Sequence, residues 1–261
     1  PVWEDVPGWR CGMGRQRAAL SDEERSSKCV WLVHQLGPSR VLWRDNAPAM
    51  FGRPMGLAFD LESNLLFYID GQLGTGRVMK PSHTPADTAT FTRTSSKAGA
   101  RLRTPIDLVL VGDVVYITDA DASEPALYAV DVAHIRRNFN AAQRVVDAEP
   151  ASGPVTQSSQ SGGNAGRVQR MSLSGERLTM PYGIAAGAQG SDELYVSNPQ
   201  NSSIYCITLS SQLRGGVQLL TELPARPAGL EMVASENVLV VAACERIYLV
   251  DVTSGAQRCV L

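Results

Sequence analysis

Pro54-Met55-Gly56-Leu57-Ala58-Phe59, followed after a polar turn by Leu65-Leu66-Phe67-Tyr68-Ile69, is the stretch on which the fold turns. The same grammar recurs three times, at Pro105-Ile106-Asp107-Leu108-Val109-Leu110, Pro181-Tyr182-Gly183-Ile184-Ala185-Ala186 and Pro227-Ala228-Gly229-Leu230-Glu231-Met232. Each copy is followed by a second β-rich run: Val114-Val115-Tyr116-Ile117-Thr118, Leu194-Tyr195-Val196-Ser197 and Val238-Leu239-Val240-Val241. Short β-branched and aromatic runs between Gly, Asn, Asp and Ser turns are strand signals. A proline can head a strand because the first position need not donate to the ladder.

Outward from these pairs, a third run follows a loop, at Gly76-Arg77-Val78-Met79, Ala126-Leu127-Tyr128-Ala129-Val130, Ser203-Ile204-Tyr205-Cys206-Ile207 and Arg246-Ile247-Tyr248-Leu249-Val250. A fourth, such as Gln143-Arg144-Val145-Val146 or Gln257-Arg258-Cys259-Val260, closes the unit. Four strands per repeat, repeated, predict an all-β chain folded as a single β-propeller. The inner strand of a blade lines a crowded channel and favours small residues. The middle strands pack between neighbours and run apolar on both faces.

Successive prolines fall about 50 residues apart, close to the length of one blade. The clear blades are expected at 54–93, 105–147, 181–222 and 227–261. Between Pro105 and Pro181 the gap exceeds one blade. Within it, Gly166–Met171 and Glu176–Thr179 read as the last two strands of an irregular blade over 150–179. Upstream, Val30-Trp31-Leu32-Val33 and Arg40-Val41-Leu42-Trp43 read as the last two strands of another, over 1–46, headed by Pro7. The expectation is six blades, two of them irregular. Residues 149–166, rich in Ser, Gly and Pro, read as a mobile loop. Residues 16–27 read as a short helix or charged loop.

The Pro-x-Gly-Leu/Ile strand with its Leu-Tyr-Val-x-Asp-like successor resembles the NHL-repeat group and the six-bladed propellers of the gluconolactonase (senescence marker protein) and strictosidine synthase families. The likeness covers residues 54–261 in four units. It implies the architecture, which hosts enzymes and scaffolds alike. In the metal-dependent gluconolactonase group, the resemblance implies Asn and Asp ligands just after the blade-opening proline. Here those positions are Met55, Ile106, Tyr182 and Ala228, and only Tyr182 carries an oxygen. Strictosidine synthase-like chemistry implies a Glu facing the channel from a late blade, and Glu231 is the nearest candidate.

Asp70, Asp119 and Asn198 follow the second strand of their blades, and Ala243 breaks the set. Three such groups either ring one face for a ligand or bond turn amides. Recurrence in blade after blade favours the turn. Asp107, beside a channel-strand proline, has the same two readings: an acid or ligand in the channel, or a backbone-bonding side chain. Gly71-Gln72-Leu73-Gly74-Thr75-Gly76 lacks phosphate-loop spacing and reads as a hairpin loop. His34, His83 and His134 fall in different repeats, and no Ser/His/Asp arrangement can be assembled from spacing. Asn201-Ser202-Ser203 is a glycosylation sequon.

The chain of 261 residues carries 44% hydrophobic and 19% charged residues, enough to bury a sizeable core. A formal net charge of -2 gives no bias toward nucleic acid. No run reaches the ~20 apolar residues of a membrane helix, which leaves docking onto a membrane complex open. The five cysteines, Cys11, Cys29, Cys206, Cys244 and Cys259, form no C-x-x-C pair, and no metal or other cofactor is expected. Pro1-Val2-Trp3-Glu4-Asp5 lacks the basic start and apolar stretch of a signal peptide. A chain that begins without Met reads as a processed form or part of a longer protein, which leaves a secreted or organellar compartment open. Trp3, Trp9, Trp31 and Trp43 all fall in the first 43 residues, where they either fill the irregular blade or present a docking surface for a protein partner. The expected role is therefore a non-catalytic interaction or scaffold propeller. The alternative is a hydrolase or lyase acting on a small molecule at the channel mouth, with Asp107, Tyr182 and Glu231 as its candidates.

Overall fold

The computed structural model describes residues 54–71, 73–79, 88–92, 102–137, 139, 166 and 168–261, with backbone alone for Pro54, Thr88, Ala89 and two strands at 29–32 and 40–44. It is a β-propeller, and the described residues build four blades. The first blade is β3 (Pro54–Asp60), β4 (Leu65–Asp70), β5 (Thr75–Met79) and β6 (Thr88–Thr90), paired in that order. The second is β7 (Pro105–Val111), β8 (Val114–Asp119) and β9 (Ala126–Asp131), with β10 (Gln169–Arg170) outermost. The third runs β12 (Ile184–Ala186), β13 (Glu193–Asn198), β14 (Ser203–Ser211) and β15 (Arg214–Glu222), with β11 (Ser172–Gly175) added parallel to β15. The fourth is β16 (Pro227–Val233), β17 (Val238–Ala243), β18 (Arg246–Asp251) and β19 (Gln257–Cys259). A separate hairpin pairs β1 (Cys29–Leu32) with β2 (Arg40–Arg44).

The gap between Pro105 and Pro181 resolves differently from expectation. Residues 166–179 do not pair with each other as the last two strands of a separate blade. Gln169 and Arg170 pair with Ala129 and Tyr128 and so complete the second blade. After Met171, the chain crosses to the third blade, where Ser172–Gly175 runs beside Arg214–Val217. The first expected strand joins the edge of the second blade, while Glu176–Thr179, expected as the second, forms no strand and the pairing falls to Ser172–Gly175. Gln143–Val146, expected as the second blade's fourth strand, lies outside the described residues. So do most of 149–166, residues 16–27, Trp3, Trp9, His34 and His83, and the side chains of Trp31 and Trp43.

Alternation along the middle strands builds the core, because successive side chains leave opposite faces of a sheet. Leu65, Phe67 and Ile69 turn toward the second blade and meet Leu108, Val115 and Ile117. Phe91 meets Phe67 edge-on at a centroid distance of 5.4 Å. The other face of β8, Val114 and Tyr116, packs with Ile184, Leu194 and Val196 of the third blade. Tyr195 and Ile204 then meet Leu239, Val241 and Tyr248 of the fourth. Every residue of β4 and β8 is buried, as expected for strands held between blades. Each such aliphatic side chain contributes roughly 1.5–3 kcal/mol of transfer free energy.

Polar groups reinforce the first junction from outside. Arg136, on a helical turn at 133–137, donates to Asp60 at 2.6 Å, Asp113 at 2.6 Å and Glu62 at 3.0 Å. The same guanidinium reaches the carbonyl of Gly112 at 3.0 Å. Burial works against ionisation of Asp60, but the guanidinium and Ser63 outweigh it and hold the carboxyl below its ordinary range.

Candidate functional site

The inner strands β3, β7, β12 and β16 define the channel wall, and their registers set what each candidate side chain can do. The second residue after the opening proline is Gly56, Asp107, Gly183 and Gly229, so Asp107 occupies a glycine slot. A bulge near this position, between Pro54 and Leu57, Pro105 and Asp107, and Pro227 and Leu230, lifts the backbone out of the ladder. Neighbouring strands come close enough that a Cβ on Gly56 would collide with the carboxylate and backbone of Asp107. A Cβ on Gly183 would collide with the carbonyl of Ala228.

Asp107 uses both oxygens on backbone. Oδ1 accepts from the amide of Leu108 at 2.9 Å, and Oδ2 accepts from the amide of Ile184, on the next blade, at 3.1 Å. Burial pushes its carboxyl up to about 6. The amides of Ile184 and Leu108 oppose that rise, and the negative charge of Glu231 adds to it. Of its two sequence-level readings, the backbone-bonding one describes this geometry.

Glu231 lies at the fifth position of β16, opposite Val240, and is open to solvent. The protein packed around it raises its carboxyl above the ordinary range. It comes within electrostatic reach of Asp107. Tyr182 is half-buried and enters the network through its peptide: its N–H donates to Ser197 O at 2.9 Å and its carbonyl accepts from Thr118 Oγ1 at 2.5 Å. Met55 packs against the core between the first two blades, while Ile106 and Ala228 are half-buried. Among the described residues, no three His, Cys, Asp or Glu side chains gather as a metal-ligand set.

Sequence reasoning missed two hydroxyls that link the inner strands. Thr118 of β8 donates to the carbonyl of Tyr182, and Ser197 of β13 donates to the carbonyl of Ala228 at 2.6 Å. Each also accepts from its own blade's inner strand, at Asp107 N (3.1 Å) and Gly183 N (2.8 Å). Both hydroxyls are fully buried, where an unpaired carbonyl would be costly. The available signal was a hydroxyl residue one place before the strand-ending Asp or Asn, in two repeats out of four.

The strand-ending groups themselves bond turns. Asp119 accepts from the amides of Arg103 (2.7 Å) and Thr104 (2.9 Å), just before Pro105. Asn198 accepts from Met180, just before Pro181, at 2.5 Å. Asp70 accepts from Leu73 at 2.9 Å. In the fourth blade Ala243 leaves the place to Cys244, whose thiol reaches the carbonyl of Arg226 at 3.9 Å. Gly74, at φ 64°, closes the hairpin loop expected over 71–76, where its N–H meets Asp70 O at 2.8 Å. Asn201 of the sequon donates to Tyr205 Oη at 2.7 Å and accepts from Asn198 at 2.7 Å. His134 is exposed on the helical turn. Cys206, Cys244 and Cys259 are free thiols.

No family profile matches the chain, and no curated protein matches it by sequence. Solved structures do. The chain is similar to a nidogen/laminin complex structure at 15% identity, with 85% of this chain and 66% of that one covered and a TM-score of 0.58. It is similar to a gluconolactonase-like structure at 12% identity, covering 88% and 69%, with a TM-score of 0.60. Its likeness to a streptogramin B lyase is 14% identity, covering 82% and 56%, with a TM-score of 0.52. The chain thus spans between about half and two thirds of the length of the structures it resembles. No helix among the described residues is long and apolar enough to cross a membrane. These structures share with the chain the β-propeller fold that its proline-headed strands predict.

Proposed function

We propose that the protein is a non-catalytic interaction propeller. The observation that carries this reading is the placement of Asp107: both carboxylate oxygens accept from backbone amides, Leu108 in its own strand and Ile184 across the blade junction. Those bonds orient the carboxylate onto backbone, whereas a general base is oriented onto the reacting group. Tyr182 supports the reading too, since what ties it in is its peptide. In this proposal Trp3, Trp9, Trp31 and Trp43 supply the docking surface for the protein partner, as large aromatics commonly anchor interfaces.

One observation favours the enzyme reading. Asp107 and Glu231 both have raised carboxyls, and the charge of Glu231 adds to the rise at Asp107, a pattern that perturbed catalytic pairs share. Metal titration and turnover assays separate the two readings. Thermal midpoint and bound metal are measured with calcium, zinc and manganese, and lactone hydrolysis is assayed in each. The interaction reading expects no stoichiometric ion and no turnover above buffer. A bound ion with a large rise in midpoint, or turnover lost in Glu231→Gln, would overturn it.

A further inference from the structure

The chain holds a single Asn-x-Ser/Thr triplet without proline at its centre, Asn201-Ser202-Ser203, and neither reading of the function uses it. The triplet lies on the turn from β13 to β14, where Asn201 is exposed and Ser203 opens β14 fully buried. Local sequence shapes the turn. Pro199 follows the strand-ending Asn198, the amide of Asn201 returns to Asn198 O at 3.3 Å, and that of Ser202 returns to Pro199 O at 3.4 Å. Ser202 then takes a φ of 57°, and β14 leaves antiparallel to β13.

The Asn201 amide differs from that of an ordinary surface asparagine in how it is held. Its Oδ1 accepts from Nδ2 of Asn198 at 2.7 Å, and its Nδ2 donates to Tyr205 Oη at 2.7 Å. Both partners are buried. The oxygen and one of the two N–H groups are therefore fixed against the blade, and the second N–H makes no bond among the described residues. This is what a folded protein needs at a residue that carries a large substituent on nitrogen. The residue is open to solvent, and its existing bonds survive the loss of one proton.

We infer that Asn201 is an N-glycosylation site, modified from a lipid-diphosphate-linked oligosaccharide. A bond forms between Nδ2 and the anomeric carbon of the donor sugar. The bond from that carbon to the diphosphate oxygen breaks, the lipid diphosphate leaves, and the Nδ2 proton passes to a base of the transferase. Nδ2 keeps one N–H for Tyr205, and Oδ1 stays with Asn198. Ser203 sets the timing. The triplet is recognised through its third-residue hydroxyl, which in the folded protein is buried and donates to Asn201 O at 3.1 Å. Transfer therefore precedes the pairing of β13 with β14, on the chain as it emerges. The inference is independent of both readings of the function and adds a constraint to the first. A glycan here covers the proline end of the third blade and keeps a protein partner off it.

The test takes the protein from its natural source, digests it, and treats the peptides with an N-glycosidase in heavy-oxygen water. Asn201 should be recovered as heavy-oxygen aspartate, and the intact chain should lose the mass of one glycan. In a second arm the full chain is secreted from a eukaryotic host behind an added leader. It should carry the glycan, Asn201→Gln should lose it, and trimming the glycan to its first sugar should leave the thermal midpoint in place. In a third, chain translated into microsomes should be modified, whereas unglycosylated protein folded beforehand should not. An Asn201 peptide found only unmodified in the natural protein, or a secreted chain without glycan, would overturn the site. Equal modification of folded and emerging chain would overturn the timing.

Discussion

The second-to-third and third-to-fourth blade junctions share a plan and differ in one residue. In both, a buried hydroxyl on one blade's second strand donates to the carbonyl that follows the next blade's proline. In both, apolar faces of the middle strands close the rest of the gap. The third-to-fourth junction then relies on glycine, with Gly183 pressed against Ala228 and Gly229. The second-to-third junction has Asp107 where glycine recurs, and the carboxylate spans to Ile184. The first device is uncharged and recurs at both junctions. The second is a single buried charge that makes one junction respond to pH and the other not.

Replacing the glycine is the hardest test of this contrast. Gly183→Ala drives a methyl into backbone on the next blade, and should cost about 3 kcal/mol in urea unfolding. Gly229→Ala, with nothing within 4 Å of the added methyl, should be neutral or slightly stabilising. Equal costs at the two sites would break the account of the third-to-fourth junction.

The next largest effect is the pH response. A carboxyl raised in the folded state to about 6 from the ordinary 3.8 binds its proton more tightly folded than unfolded. Stability therefore falls as pH rises from about 4 to about 6, by at most about 3 kcal/mol. Above that window the loss is complete. Thermal midpoints across pH 3.5–7 should show this fall in the wild type and a flatter profile in Asp107→Asn. Superimposed profiles would remove Asp107 as the cause.

Ser197→Ala leaves Ala228 O without its buried donor and should cost about 1–2 kcal/mol. Thr118→Val should cost a similar amount, and adding Asp107→Asn to it should be non-additive because the two side chains hold neighbouring peptides of one segment, Tyr182 O and Ile184 N. Simple additivity would show that the two side chains act independently. Smallest of all, Glu231→Gln should lower the midpoint of Asp107 by about a few tenths of a pH unit in a carboxyl NMR titration, since it removes only a screened charge.

Much of this was legible in the sequence where a pattern repeats. The proline-headed strand, the fully apolar second strand and the strand-ending Asp or Asn follow from rules that act within one blade. The turn-bonding reading of Asp119 and Asn198 was reachable because their targets, Thr104 and Met180, lie just upstream of each blade's own proline. What failed was pairing between blades. Nothing local in Gln169–Gly175 says that its first two residues belong to one sheet and its last four to another. Competing edges decide that, and they form only once the blades are in place. Asp107 was visible as an oddity in an apolar run, but its target Ile184 lies in a different repeat. The hydroxyls of Thr118 and Ser197 were invisible for the same reason.

One asymmetry in the junctions bears on how the chain is made. The hydroxyls of Thr118 and Ser197, the carboxylate of Asp107 and the bare face of Gly183 all belong to the earlier blade, and what they hold or accommodate belongs to the later one. A chain leaving the ribosome from its N-terminus thus finishes each receiving surface before the strand that docks on it emerges. At these two junctions the earlier blade is a ready template for its successor.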